Sequence, residues 1–185
     1  MKKWQKEIQA LCEERVNGRG YLAIRKYQDK YGKTEVNVFI VKWFIEKYLK
    51  WDEKKIKECL CIEVFYSAGF ESFLRLQYNQ NVYKALEEAY PNKYRPWELK
   101  RAPRNYWNKE KAIEAFEIWL KEVVKWSDEE ICTKFNRHRI QDTKPFGTKF
   151  YWLLRKFLGD DEFIALNTIY PGKFKQENGK IVLNQ

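Results

Sequence analysis

The sequence predicts an all-α fold: a tandem repeat of two four-helix modules, helix-turn-helix-like, behind a degenerate helical half-repeat. Three observations carry this. Apolar residues recur at the helical period of about 3.6 along most of the chain. Glycine (8) and proline (5) are few among 185 residues, which leaves room for helices and disfavours a many-turned β sandwich. One motif also comes twice. Tyr90-Pro91-Asn92-Lys93-Tyr94-Arg95-Pro96-Trp97-Glu98-Leu99-Lys100 nearly recurs as Tyr170-Pro171-Gly172-Lys173-Phe174-Lys175. Each copy closes a block that opens on a tryptophan and an acidic helix start, Trp51-Asp52-Glu53 and Trp126-Ser127-Asp128-Glu129-Glu130.

Residues 1–33 read as an N-terminal helical pair. Trp4, Ile8, Leu11, Cys12 and Val16 form one apolar stripe, Asn17–Gly20 is a turn, and a second helix is expected over Tyr21–Tyr31, stopped by Gly32. Repeat 1 (34–91) is expected to start at Thr34 and repeat 2 (108–171) at Asn108, both good N-caps. A shift of 75 residues lays Val38, Val41, Ile45, Tyr48 and Leu49 on Ile113, Phe116, Leu120, Val123 and Val124, one face of a long helix in each copy. Asp52 and Ser127 start the next helix, where Ser127 and Glu130 have capping-box spacing.

A loop follows that is five residues longer in the second copy, because the offset grows from 75 to 80. Two short helices then carry Phe70, Phe73, Leu74 and Tyr78 against Phe150, Leu153, Leu154 and Leu158, and Tyr83, Leu86 and Tyr90 against Phe163, Leu166 and Tyr170. Asp160 is a candidate cap for the last helix, and Pro91 and Pro171 end it in each copy. Residues 92–107 read as a basic linker containing Pro96, Trp97 and Pro103, with Trp97 placed to anchor it on a repeat. Residues 172–185 read as a loose tail, with Ile181-Val182-Leu183 the one stretch of strand character.

Composition bounds the function. The aromatic content of 17% and apolar content of 44% exclude a disordered chain. The net charge of +10 is spread along the chain, which favours an anionic partner, nucleic acid first. No apolar run approaches the roughly 18 residues of a membrane helix, and Lys2-Lys3 leads into polar residues, so a cytoplasmic protein without a membrane partner is expected. Cys12, Cys59, Cys61 and Cys132 lack zinc-site spacing and read as reduced thiols. His138 is the only histidine, set as a loop residue between Arg137 and Arg139. No catalytic constellation, phosphate-cradling glycine loop, metal site, cofactor or small-molecule substrate is indicated.

The candidate site is instead a cationic, aromatic surface. On a helix over 148–158 the apolar face takes Phe150, Leu153, Leu154 and Phe157, leaving Lys149, Trp152, Arg155 and Lys156 on the other side. Arg137, Arg139 and Lys144 precede it, and Lys93, Arg95, Arg101 and Arg104 add a second cluster in the linker. Lysines suit phosphates, an arginine suits a phosphate or base edge, and an exposed tryptophan can stack or wedge. In the first copy the same helix face holds Gly69, Ser72, Arg75 and Leu76, which suits a scaffold or protein contact.

These blocks resemble a family of uncharacterised tandem-module proteins of Gram-positive bacteria and their phages. There a Trp-Ser-Asp-Glu-Glu-Ile opening and a Tyr-Pro-Gly-Lys-Phe-Lys-Pro-Trp-Glu close recur. Here the opening is Trp126–Ile131, Tyr170–Lys175 keeps the first half of the close, and Pro96-Trp97-Glu98 keeps the second half. Gln176-Glu177 stands where Pro-Trp would follow, which implies that the array closes there on a capping tail. The modules are similar, more loosely, to helical repeats of homing endonucleases that contact DNA. Over residues 34–175 the resemblance implies repeat architecture. Together these readings point to a non-enzymatic DNA-binding protein, phage- or mobile-element-associated, with RNA as a lesser partner. A host-takeover or defence-related adaptor that binds a protein is the alternative.

Overall fold

The structure is a computed structural model and describes residues 1–184. It is all-α apart from one small hairpin, and it divides into two compact units, Met1–Arg104 and the chain from Asn105 on. No described helix is long and apolar enough to cross a membrane.

The first unit holds α1 (Lys3–Val16), α2 (Arg25–Tyr31), α3 (Lys33–Lys42), α4 (Glu53–Cys59), α5 (Ile62–Ser67), α6 (Glu71–Tyr78) and α7 (Val82–Ala89). The second holds α8 (Lys109–Ile118), α9 (Asp128–Lys134), α10 (Arg137–Asp142), α11 (Gly147–Phe157), α12 (Glu162–Ile169) and the antiparallel strands β1 (Phe174–Glu177) and β2 (Lys180–Leu183). The long helix expected at the head of each module is α-helical only at first. It widens into a π-helical turn over Trp43–Leu49 after α3 and over Trp119–Val124 after α8. Both turns close on a left-handed lysine, Lys50 (φ 53°) and Lys125 (φ 55°). The Trp51 amide then donates to the Ile45 carbonyl and the Trp126 amide to the Leu120 carbonyl, each at 3.2 Å.

From α3 and again from α8 the chain thus runs through five helical segments, not the four expected of a module. The additional ones are α5 and α10, in the stretch read as a variable loop. α5 is short and begins without a side-chain cap; α10 is six residues long, and Asn136 caps it by accepting from the Arg139 amide at 3.0 Å. Elsewhere the caps follow the sequence. Asp52, Asn81, Asn108 and Ser127 each accept from the amide three residues on, and Glu130 returns the capping-box bond to the Ser127 amide at 2.9 Å. Two caps move: Gly32, not Thr34, precedes α3, and Asp161, not Asp160, caps α12.

The rings at the π turns sit at the centre of each core. Trp119 stacks on Phe150 with centroids 4.4 Å apart, and Phe116 meets Phe150 at 4.9 Å. In the first unit Phe44 packs on Phe70 at 5.0 Å and on Phe65 at 4.6 Å. Position 44 lies 75 residues before 119, and 70 lies 80 before 150, so the contact occupies corresponding positions. The buried face of α8 and its π turn is Ala112, Ala115, Phe116, Trp119 and Leu120, one step round from the expected stripe; Ile113, Val123 and Val124 are only half-buried. Tyr48, expected inside, is exposed because the wider turn rotates it outward.

Three boundaries differ from expectation. The N-terminal pair is not apart: Trp4, Ile8, Cys12, Ile24 and Tyr27 belong to the first unit's core. Residues 92–104 also belong to that unit, where Tyr94, Trp97 and Leu99 are buried and Pro96–Glu98 forms a 3-10 turn. The expected tail is the β1–β2 hairpin, with Phe174 paired opposite Leu183 and buried.

Two outcomes are expected. Trp119→Ala costs about 3–5 kcal/mol, read as a fall in denaturant midpoint, because a fully buried ring with stacked neighbours is lost. Burial, with Glu13 adding to it, pushes the Cys12 thiol up to about 12, so Cys12 stays unreactive to a thiol reagent at pH 8 until the unit unfolds.

Candidate nucleic-acid interface

The cationic residues expected after Phe135 stand on a helix, a tight turn and a second helix. The turn between α10 and α11 is residues 143–146, four residues, so the connection is as short as helix-turn-helix geometry requires. Lys144–Pro145 is cis and Phe146 is left-handed at φ 74°. The Trp119 indole donates to the Pro145 carbonyl at 3.0 Å, which fastens the turn to the core. Gly147 opens α11 where a Cβ would lie 2.2 Å from the Ile140 carbonyl oxygen and 2.7 Å from that of Gln141. Only glycine lets α10 and α11 approach so closely.

The five extra residues of this unit can be placed. α10 keeps the 75-residue offset from α5, while α11 ends near the 80-residue offset from α6. One added residue lengthens the turn from three residues to four, three make α11 longer than α6, and one lies in the connection to the last helix, 158–161 against 79–81.

Along α11, Phe150, Leu153 and Leu154 are buried, while Trp152, Arg155 and Lys156 are exposed and Lys149 is half-buried. Phe157, expected inside, is half-buried and sets its edge against Trp152 at 5.9 Å. The Lys156 ammonium lies 4.7 Å from the Trp152 ring centre and 5.3 Å from that of Phe157. Trp152 is 44% exposed, the one exposed tryptophan among the described residues. Arg155 sits over Tyr151, and Lys149 over Phe146.

On α10, Arg139 and His138 are exposed, His138 on the first helical turn rather than in a loop. Arg137 is committed inward to its own unit. Its Nε lies 3.0 Å from Glu162 and its Nη1 3.2 Å from Asp160. The Glu162 hydrogen bond, then the Asp160 and Glu162 charges, hold its guanidinium further on its charged side. Lys144 is exposed in the turn. From 135 to 158 there are six Lys or Arg against one Asp, a surplus of five.

The second predicted cluster lies in the other unit. Lys93 pairs with Glu53 at 3.8 Å and flanks Tyr90 and Tyr94. Arg95 lies over Trp97, and Arg101 pairs with Glu63. Arg104 is exposed. Lys93 and Arg101 thus tie 92–104 to α4 and α5.

A cavity of about 830 Å³ lies elsewhere: a groove between α9, the start of α12 and β2, lined by Glu129, Cys132, Phe135, Phe163 and Ile181 among others. Among the described residues no group of His, Cys, Asp and Glu is placed to hold a metal ion. Cys12 and Cys61 are buried, and all four cysteines are free thiols. Comparison with protein-family models, curated proteins and solved structures found no match.

Sequence reasoning missed α10 and the role of Gly147. Asn136, three residues before the amide of Arg139, was the readable signal for the first; nothing local marks the second. Gly147→Ala is expected to lower stability by about 1–3 kcal/mol, read by denaturant titration of helical signal, because two backbone carbonyls must give way.

Proposed function

We propose that the protein binds duplex DNA, without covalent chemistry, through the α10–turn–α11 face of its second unit. One observation carries the reading: a surplus of five positive charges on a helix, a four-residue turn and a helix whose exposed side carries Trp152. An 11-residue α11 is about 16 Å long, and the B-DNA major groove, about 12 Å wide, admits a helix. Arg139, Lys144, Lys149 and Lys156 are assigned to phosphates, Arg155 to a phosphate or base edge, and Trp152 to stacking against a sugar or base. The family resemblance adds the expectation of a phage or mobile-element setting.

A second reading, a protein-binding adaptor, is favoured by the first unit. There Leu76 on α6 is 69% exposed and Tyr21 79%, beside a cavity of about 440 Å³. A helix face with an exposed leucine where the second unit carries charge suits an apolar protein contact.

The test is binding of a labelled duplex at 50 and 200 mM salt. Four phosphate contacts predict about a hundredfold loss across that range. Lys149→Ala, Arg155→Ala and Lys156→Ala together are expected to lose at least about tenfold at the lower salt. Unchanged affinity in that triple variant rejects the site. Absence of a duplex shift, with retained capture of a defined protein at high salt, favours the adaptor. Preference for duplex RNA over DNA moves the assignment to RNA.

A further inference from the structure

We infer that Arg137 and Arg155 bracket a phosphodiester site whose place is now held by the protein's own Asp160. The inference rests on the nucleic-acid reading and specifies one contact within it. Asp160 follows Gly159 in the connection from α11 to α12. It does no capping work there, since Asp161 accepts from the Ile164 amide at 2.8 Å. Its two oxygens instead face different helices. Oδ2 lies 3.2 Å from Nη1 of Arg137 on α10, and Oδ1 lies 3.8 Å from Nε of Arg155 on α11.

The two non-bridging oxygens of a phosphodiester can make the same bridge, and arginine's planar fork suits phosphate as it suits carboxylate. All three side chains are near half-exposed, so this is a surface pair of small net strength that a polyanion can displace. Arg137 keeps a second tie to Glu162, which fixes its guanidinium while the Asp160 side is exchanged. Asp160 therefore weakens binding by competing for the two arginines.

The experiment measures duplex DNA affinity of the full chain by fluorescence anisotropy at two salt concentrations. Asp160→Asn keeps the side chain's shape and removes its charge. It is expected to tighten binding about three- to tenfold and to steepen the salt slope by about 0.9, the increment of one more phosphate contact. Asp142→Asn is the control: the same charge change on α10, at a carboxylate for which no ion pair is seen. It is expected to change affinity less than twofold. The gain from Asp160→Asn should vanish when Arg137→Ala and Arg155→Ala are already present. Equal gains from Asp160→Asn and Asp142→Asn, or a gain that survives loss of both arginines, overturn this inference while leaving DNA binding intact. A wild-type chain that binds no duplex at the lower salt overturns the parent reading, and this inference with it.

Discussion

One ring-on-ring contact organises each unit. A residue in the π turn, Phe44 or Trp119, packs on the aromatic residue at or near the start of α6 or α11, Phe70 or Phe150. The pair is worth about 1 kcal/mol beyond its area, but its position matters more. The π turn carries three consecutive buried residues in the first unit, Trp43, Phe44 and Ile45, which an α turn would splay round the helix. The left-handed lysine that closes the turn then redirects the chain into the next helix. In the second unit the same indole reaches the carbonyl of Pro145, so the core ring also fixes the turn that presents the cationic face.

The surface chemistry follows from what the core leaves outside. Once Phe150, Leu153 and Leu154 are fixed inward, the helical period places Trp152, Arg155 and Lys156 outward without further specification. Aromatic and cationic side chains then order one another, as Lys156 does over Trp152 and Phe157. The acidic start of α12 acts in the other direction, tying Arg137 down through Glu162 and Asp160. The face is therefore less positive than its sequence count, because part of its charge is answered within the unit.

Much of this was legible in the residues. The all-α class follows from periodicity and the low glycine and proline content. The caps at Asp52, Asn108 and Ser127 follow from side chains that accept from amides three positions on. The outward side of α11 was readable from its apolar spacing. What stayed hidden has physical reasons. α5 and α10 are one and a half turns long, too short for a hydrophobic period to declare itself. The π turns break the 3.6-residue count, so the inferred stripe slipped by one position and missed Phe44 and Trp119. The hairpin depends on β1 meeting β2, a pairing that Phe174–Glu177 does not announce alone. Gly147 matters only because two carbonyls of the preceding helix lie beneath it.

The greater length of α11 has a broader consequence. α11 is three residues longer than α6, which extends the cylinder by about 4.5 Å. Reach and charge are gained together, and the interior is asked to accommodate only a glycine. Such a joint can be lengthened or trimmed at the helix start without re-solving the packing beneath it. In a scaffold of this kind, a change of length at one seam is a gentler route to a new surface than substitution across a face.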